Sequence, residues 1–136
     1  MRKPKYIPFV SKTIALFLFI RAAFISMTHI GPFPQRDLIP IGSKIITALI
    51  GGSSDLFFSG HTGLPFLMAL IFWKNKKLRI TFLAISGILG AAVLLGHIHY
   101  SIDVFSSFFI TYSIYHLAKE IFPSDYHIFH KGIVRE

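Results

Sequence analysis

The sequence contains no cysteine and few acidic residues, and both shortages narrow the chemistry open to it. Without cysteine, the chain of 136 residues can form no disulfide and can hold no metal through thiolates. Its 6 Asp and Glu residues stand against 14 Lys and Arg residues, and they do not group into a carboxylate cage for a cation. We therefore expect neither a metal site nor any other cofactor.

The apolar content of the chain indicates a membrane protein. Hydrophobic side chains make up 53% of the sequence and the mean hydropathy is +0.62, which is too apolar for an ordinary soluble domain of this size. Apolar residues concentrate in four stretches, at 13–30, 56–73, 80–96 and 102–118. Each has about the length a helix needs to cross a hydrocarbon core of about 30 Å, whereas four strands could not close a barrel. We therefore predict an all-α fold, a multi-pass transmembrane helix bundle with about four spans in a single domain over residues 1–136.

The basic residues predict how these spans are oriented. Lys and Arg cluster before the first stretch, between the second and third, and after the fourth. Cytoplasmic segments of membrane proteins are enriched in Lys and Arg, so we expect these three segments, with the N-terminus, on the cytoplasmic side. The segments 31–55 and 96–101 then face the opposite side. The formal charge of +8 does not indicate a nucleic-acid partner, because the basic residues form no continuous surface.

The segment between the first and second stretches is the least regular part of the chain. Pro32, Pro34 and Pro40 disfavour helix in its first part, whereas the pattern at 41–50 is typical of a short amphipathic helix. We expect this segment to lie at the outer interface or to re-enter the bundle. The first apolar stretch is interpreted as a retained span, because it is longer than the core of a signal peptide and lacks a small-residue cleavage site.

Polar residues stand at the starts of the second and fourth stretches, which should meet at the outer face. The fourth opens with the run His97-Ile-His99-Tyr100-Ser-Ile-Asp103. Residues four apart on a helix share a face, so this spacing pairs His99 with Asp103 and turns His97 away. A carboxylate in that position can accept the imidazole N–H, select the tautomer and stabilise the charged ring. The alternative for this pair is an interfacial hydrogen bond without chemistry.

The second stretch opens with Ser59-Gly60-His61-Thr62-Gly63, a histidine among small residues at a turn or helix start. Unpaired N–H groups and the helix dipole favour an anion such as phosphate at such a place. The alternative is structural, with Ser59 as an N-cap and the glycines as packing contacts.

Together the two runs resemble the type-2 phosphatidic acid phosphatase superfamily, most closely its sphingomyelin synthase branch. The resemblance covers the chain from Arg21 to about Tyr115. Further matches to that branch are Arg21 with Thr28, the Pro32-Phe-Pro34 run, Asp55-Leu-Phe-Phe, His97 and Val104. The phosphatase branch usually carries an Arg shortly before its third-motif histidine, whereas residues 92–99 contain no Arg or Lys. That departure favours a singly charged phosphodiester as the substrate.

The resemblance implies a His-His-Asp triad. His99 would attack phosphorus and become phosphorylated, Asp103 would orient it, and His61 would protonate the departing alcohol and then deprotonate the acceptor. By the resemblance, backbone N–H groups at 59–62 would meet the transition-state charge, with Arg21 as a cationic contributor. The alternative for Arg21 is a structural pair or a side chain that reaches the interface. Tyr100 is interpreted either as an interfacial aromatic residue or as part of the lipid cleft. The substrate-binding candidates are Arg21, Ser59, Gly60, Thr62 and Tyr100.

The function implied is a phospholipid headgroup phosphotransferase or phosphodiesterase at the non-cytoplasmic face. Its partners would be a phospholipid donor and a lipid alcohol or water as acceptor. A lipid phosphate phosphatase is the alternative within the same class, and a non-catalytic protein that binds or conducts an anion or metal is the alternative of another class. The branch has more spans than the four evident here, which points to a homo-oligomer, and the short chain favours a bacterial inner membrane over eukaryotic secretory membranes.

Overall fold

The structure, a computed structural model, describes residues 7–27, 58–96 and 99–133, and all regular structure within them is helical. The helices are α1 (Ile7–Met27), α2 (Gly60–Ile71), α3 (Lys76–Leu95), α4 (Ser101–Ile121) and α5 (Pro123–Ile133). The predicted all-α class is therefore confirmed. The predicted amphipathic or re-entrant segment lies outside the described residues.

Local chemistry explains where several helices begin. α3 starts after Asn75, whose side-chain oxygen accepts the N–H of Leu78 at 3.2 Å. α4 starts after Tyr100, whose N–H donates to the carboxylate of Asp103 at 3.0 Å. α5 starts at Pro123, a residue whose fixed φ suits the first position of a helix.

The surface of the bundle is that of a protein in a membrane. α1 and α3 are each long and apolar enough to cross a bilayer. Large apolar side chains point outward along the bundle, with 74% of Phe19, 81% of Leu95 and 76% of Phe109 exposed, which favours a lipid rather than an aqueous surrounding. α2 is apolar but has 12 residues, a rise of about 18 Å, so the count of four spans stays a prediction.

α2 lies at the centre of the bundle and packs against α1, α3 and α4. Its buried residues include Leu67 and Ile71. They join an apolar core with the buried side chains Phe9, Phe17, Phe58, Ile114, Ala118 and Phe129. The central position of α2 means that its N-terminus is held by three neighbouring helices.

Residues 123–133, which follow the fourth apolar stretch, form the helix α5. Phe129 is fully buried and anchors it, with ring centroids 5.5 Å from Phe9 and 5.7 Å from Phe72. Burial of one such side chain contributes about 2 kcal/mol. Lys12 of α1 also pairs with Asp125 at 2.5 Å.

The basic segments gather at one end of the bundle. The pair between Lys12 and Asp125 joins the start of α1 to α5, and the ammonium group of Lys119 lies 5.9 Å from the ring centroid of Tyr126. The connection from α2 to α3, with Lys74, reaches the same end and acts electrostatically on His130. This arrangement is the one that the positive-inside prediction requires, while the orientation in a membrane stays a prediction.

Candidate active site

The start of α2 meets the start of α4 at the opposite end of the bundle. The N–H of Ser59, the residue before α2, donates to the backbone oxygen of Asp103 at 3.1 Å. This contact brings together the two polar runs, which are far apart in the sequence. The rings of His61 and His99 face each other with centroids 6.3 Å apart and planes inclined by 60°. One phosphate group can contact both rings at that separation.

His99 and Asp103 form a buried pair. His99 is 4% exposed and Asp103 is fully buried. The imidazole Nδ1 lies 3.8 Å from the carboxylate Oδ2, which is too long for a hydrogen bond. The same Oδ2 accepts the N–H of Tyr100 at the start of α4. Within the described part of the chain, Oδ1 of Asp103 has no hydrogen-bond partner.

Arg21 reaches the site from α1 because the facing residue is a glycine. A Cβ atom on Gly60 would lie 3.0 Å from Nε and 3.2 Å from Cζ of Arg21. A side chain at position 60 would therefore require the guanidinium group of Arg21 to shift slightly. Arg21 is partly buried and brings a positive charge to the first turn of α2, where anions are favoured.

Ser59 and Thr62 turn their side chains into the bundle. Both are fully buried, and the Thr62 hydroxyl donates to Oγ of Ser59 at 3.3 Å. The Ser59 side chain makes no capping bond to α2, so it does not occupy the N–H groups of the first turn. A direct contact of either hydroxyl with substrate stays a prediction. Tyr100 is half-buried at the edge of the site.

The backbone conformation of Phe58 sets the direction in which the chain enters Ser59 and α2. Its φ of 32° lies in the left-handed region, which is strained for a bulky residue and costs about 1–3 kcal/mol. Its ring is fully buried and packs edge-on against Phe17 and Phe24, with centroids 5.6 Å and 6.0 Å away. The phenylalanine pattern in the sequence does not indicate this role. Phe105 and Phe109 of α4, by contrast, are exposed.

Two residues of α3 lie next to the site although the sequence motifs do not include them. Ser86 donates its hydroxyl to the backbone oxygen of Thr62 at 2.7 Å, and a Cβ on Gly90 would lie 3.3 Å from Thr62 Oγ1. The available signal was a serine and a glycine four residues apart in an apolar helix, a pattern typical of close helix packing.

The described side chains can supply acid, base and nucleophile. Residues 7–27, 58–96 and 99–133 contain no group of three or more His, Asp or Glu side chains arranged to hold a metal ion. Thr28, Asp55 and His97, which also entered the resemblance, lie outside the described residues. What the structure brings together is two imidazoles, one carboxylate, one guanidinium and a helix N-terminus.

Residues 52–120, just over half of the chain, match the family described as PAP2 superfamily C-terminal. The chain belongs to the PAP2 superfamily. Membership indicates an enzyme of the phosphatase or phosphotransferase type that acts on lipid phosphates at a membrane, and it confirms the superfamily expected from the motifs. The matched range includes His61, His99 and Asp103 but not Arg21. No curated protein and no solved structure matches the chain.

Proposed function

We propose that this PAP2 protein is a phospholipid headgroup phosphotransferase or phosphodiesterase of the sphingomyelin synthase type, acting through a phosphohistidine. The observation that supports it is the pair of facing histidine rings, 6.3 Å apart, with a buried carboxylate 3.8 Å behind one of them. A nucleophile on one side of a phosphate and a proton donor on the other is what covalent phosphoryl transfer requires.

In the first step the donor phospholipid loses its lipid alcohol. With Nδ1 of His99 protonated and directed at Asp103, the lone pair on Nε2 attacks phosphorus and forms an N–P bond. The bond from phosphorus to the glyceride oxygen breaks, and His61 gives its proton to that oxygen. Diacylglycerol leaves, and the headgroup phosphate stays on His99.

In the second step an acceptor takes the headgroup phosphate. His61, now neutral, removes the proton of a lipid alcohol or of water, whose oxygen attacks phosphorus. The N–P bond breaks and its electron pair returns to His99. The carboxylate of Asp103 stabilises the charged imidazole in both steps, and His61 ends protonated, ready for the next donor.

The charge of the site favours a phosphodiester. Among the described residues one guanidinium, that of Arg21, lies at the first turn of α2. A phosphodiester carries a single negative charge, which this cation and the helix N-terminus can balance in the transition state. A phosphomonoester carries up to two charges and needs more cationic groups. We propose Gly60 and the backbone of Ser59 and Thr62 as phosphate contacts, with Tyr100 at the lipid cleft.

Two other functions compete with this proposal. A lipid phosphate phosphatase is favoured by the superfamily match itself, because the same two histidines can hydrolyse a monoester. A non-catalytic protein could use the facing histidines as ligands for an anion or metal. We further propose a single domain that spans the membrane several times, assembles with copies of itself and holds this site at the non-cytoplasmic face.

Lipid turnover by the purified protein in detergent tests the proposal. Phosphatidylcholine, phosphatidylethanolamine and phosphatidic acid are supplied with and without ceramide, and chelator is added in parallel. The variant His99→Ala is compared with His116→Ala, which removes an exposed histidine of the same helix. We expect diacylglycerol release from a diester that chelator leaves intact, and that only His99→Ala abolishes.

Each other result selects a different function. Consumption of phosphatidic acid alone would identify the phosphatase. Loss of turnover on chelation would contradict the phosphohistidine route. If acid-labile phosphate is trapped on the wild type but not on His99→Ala, the covalent step is supported directly.

A further inference from the structure

α2 carries a proline one turn after His61. Pro65 lies inside the helix Gly60–Ile71 and has no backbone N–H. The helical hydrogen bond that would run from position 65 to the carbonyl of His61 therefore cannot form. The first turn of α2 is tied less firmly to the rest of its own helix, so its orientation depends more on contacts with neighbouring helices.

Ser86 of α3 provides such a contact. Its side chain is 1% exposed, and its hydroxyl donates to the carbonyl oxygen of Thr62, the residue after His61, at 2.7 Å. Gly90, one turn further along α3, leaves room for the approach, since a Cβ there would lie 3.3 Å from Thr62 Oγ1. The hydroxyl of Thr62 then reaches Ser59 on the other side of His61.

The partner of Ser86 is unusual within this protein. A serine inside a helix commonly returns its hydroxyl to a carbonyl of its own helix. Ser107 does so at 2.6 Å to Val104, and Ser113 does so at 3.0 Å to Phe109. Ser86 instead bonds across to the turn that holds His61, in a buried setting where a hydrogen bond is strong.

We propose that Ser86 is a positioning residue that, together with the interruption at Pro65, sets the orientation of the His61 ring toward His99. The inference rests on the proposed role of His61 as acid and base. In-line transfer needs the proton donor placed within a fraction of an ångström, and a misplaced group loses rate rather than substrate affinity. Ser86 acts through the backbone of Thr62 and is not expected to touch substrate.

The variant Ser86→Ala tests this role against Ser107→Ala, which removes a buried hydroxyl bonded within its own helix. We expect Ser86→Ala to lower kcat about tenfold with KM nearly unchanged, and Ser86→Thr, which keeps the hydroxyl, to restore most of it. Nuclear magnetic resonance of ring-labelled histidines, assigned with His61→Gln, should show the His61 signals moving in Ser86→Ala and returning in Ser86→Thr. Ser107→Ala should leave kcat and the His61 signals unchanged.

A second variant keeps the test independent of folding. Pro65→Ala restores the N–H, so the helical bond to the His61 carbonyl can form and the helix should become more stable by its propensity. We expect a thermal midpoint equal to or above that of the wild type, together with a lower kcat and moved His61 signals. If Pro65 had only a structural role, Pro65→Ala would not lower kcat while keeping or raising the thermal midpoint.

The outcomes separate the two proposals. Unchanged His61 signals in both Ser86→Ala and Pro65→Ala would overturn the positioning role, whatever the activity. If the wild type turned over no lipid, the proposed function would fail, and the His61 signals would still decide whether Ser86 orients this ring.

Discussion

One carboxylate, that of Asp103, serves two neighbours at once. Its Oδ2 accepts the N–H of Tyr100 at 3.0 Å and lies 3.8 Å from Nδ1 of His99. The first contact stabilises the start of α4, because it satisfies a backbone donor that the helix leaves unpaired. The second contact places the carboxylate beside the imidazole of His99. A stabilising contact and the proposed catalytic role therefore belong to one buried side chain, and a substitution that separates them is needed.

Asp103→Asn separates these roles, because its amide oxygen can still accept the Tyr100 N–H while the charge is lost. We expect turnover to fall on the order of 10³-fold, since an uncharged partner neither selects the His99 tautomer nor stabilises the imidazolium. The free energy of unfolding should change by less than about 1 kcal/mol. Turnover and thermal unfolding are measured in the same detergent.

Asp103→Ala is the matched control and loses both contacts. It should be as inactive as Asp103→Asn and less stable by about 1 kcal/mol, the usual value of a helix cap. Full activity in Asp103→Asn would mean that the Asp103 side chain only caps the start of α4.

At the scale of the elements, two glycines show that α2 is closely packed at its centre whereas part of α3 has open space beside it. A Cβ on Gly63 of α2 would lie 2.9 Å from Thr111 Oγ1 and 3.1 Å from Cζ of Phe17. A Cβ on Gly87 of α3 would meet nothing within 4 Å. The contrast follows from position, because α2 is central while most of α3 faces outward.

Substitution of these glycines by alanine should have opposite effects. Gly63→Ala forces Phe17 or Thr111 to move, and overpacking of this kind costs about 1–3 kcal/mol. Gly87→Ala meets no obstacle and should raise stability by up to about 1 kcal/mol through helix propensity. Thermal unfolding in detergent measures both. Equal destabilisation by the two variants would contradict the central placement of α2.

At the scale of the whole molecule, the bundle separates a basic end from the candidate site. His130 of α5 lies at the basic end, where burial lowers its pKa from the ordinary value of 6.5. The positive charges of Lys74, His127 and Lys119 lower the pKa further, in that order. Burial and these neighbouring charges therefore favour the neutral form of His130.

The lowered pKa of His130 predicts a pH-dependent stability. Because the unfolded chain binds a proton at this residue at a higher pH than the folded chain, the stability contribution is complete above about pH 6.5. It is lost as the pH falls from there toward the folded pKa. Thermal unfolding of the wild type and of His130→Gln, measured between pH 7.5 and 5, isolates the contribution of His130 to stability. We expect a flatter profile in the variant, and identical profiles would contradict the prediction.

The orientation of the bundle can be tested by labelling, because the chain has no cysteine of its own. Lys77→Cys places a thiol at the exposed start of α3, and Ser101→Cys places one at the exposed start of α4, beside the site. An impermeant maleimide added to intact cells should label Ser101→Cys alone, and Lys77→Cys should react only after permeabilisation. The reverse pattern would put the candidate site on the cytoplasmic side.

The sequence by itself determined the helical class, the apolar character and the two polar runs. These are properties of composition and of short spacing, so they need no knowledge of distant contacts. The pattern of apolar residues predicted four helices near their observed places. The spacing of His99 and Asp103 predicted their proximity, and the motifs predicted the superfamily that the chain was found to match.

Only the tertiary structure decided how these parts meet. The docking of α5 through Phe129, the approach of Arg21 over Gly60 and the bond from Ser86 to Thr62 each join segments far apart in the chain. Such contacts depend on which helix faces pack together, and sequence periodicity alone does not specify that pairing.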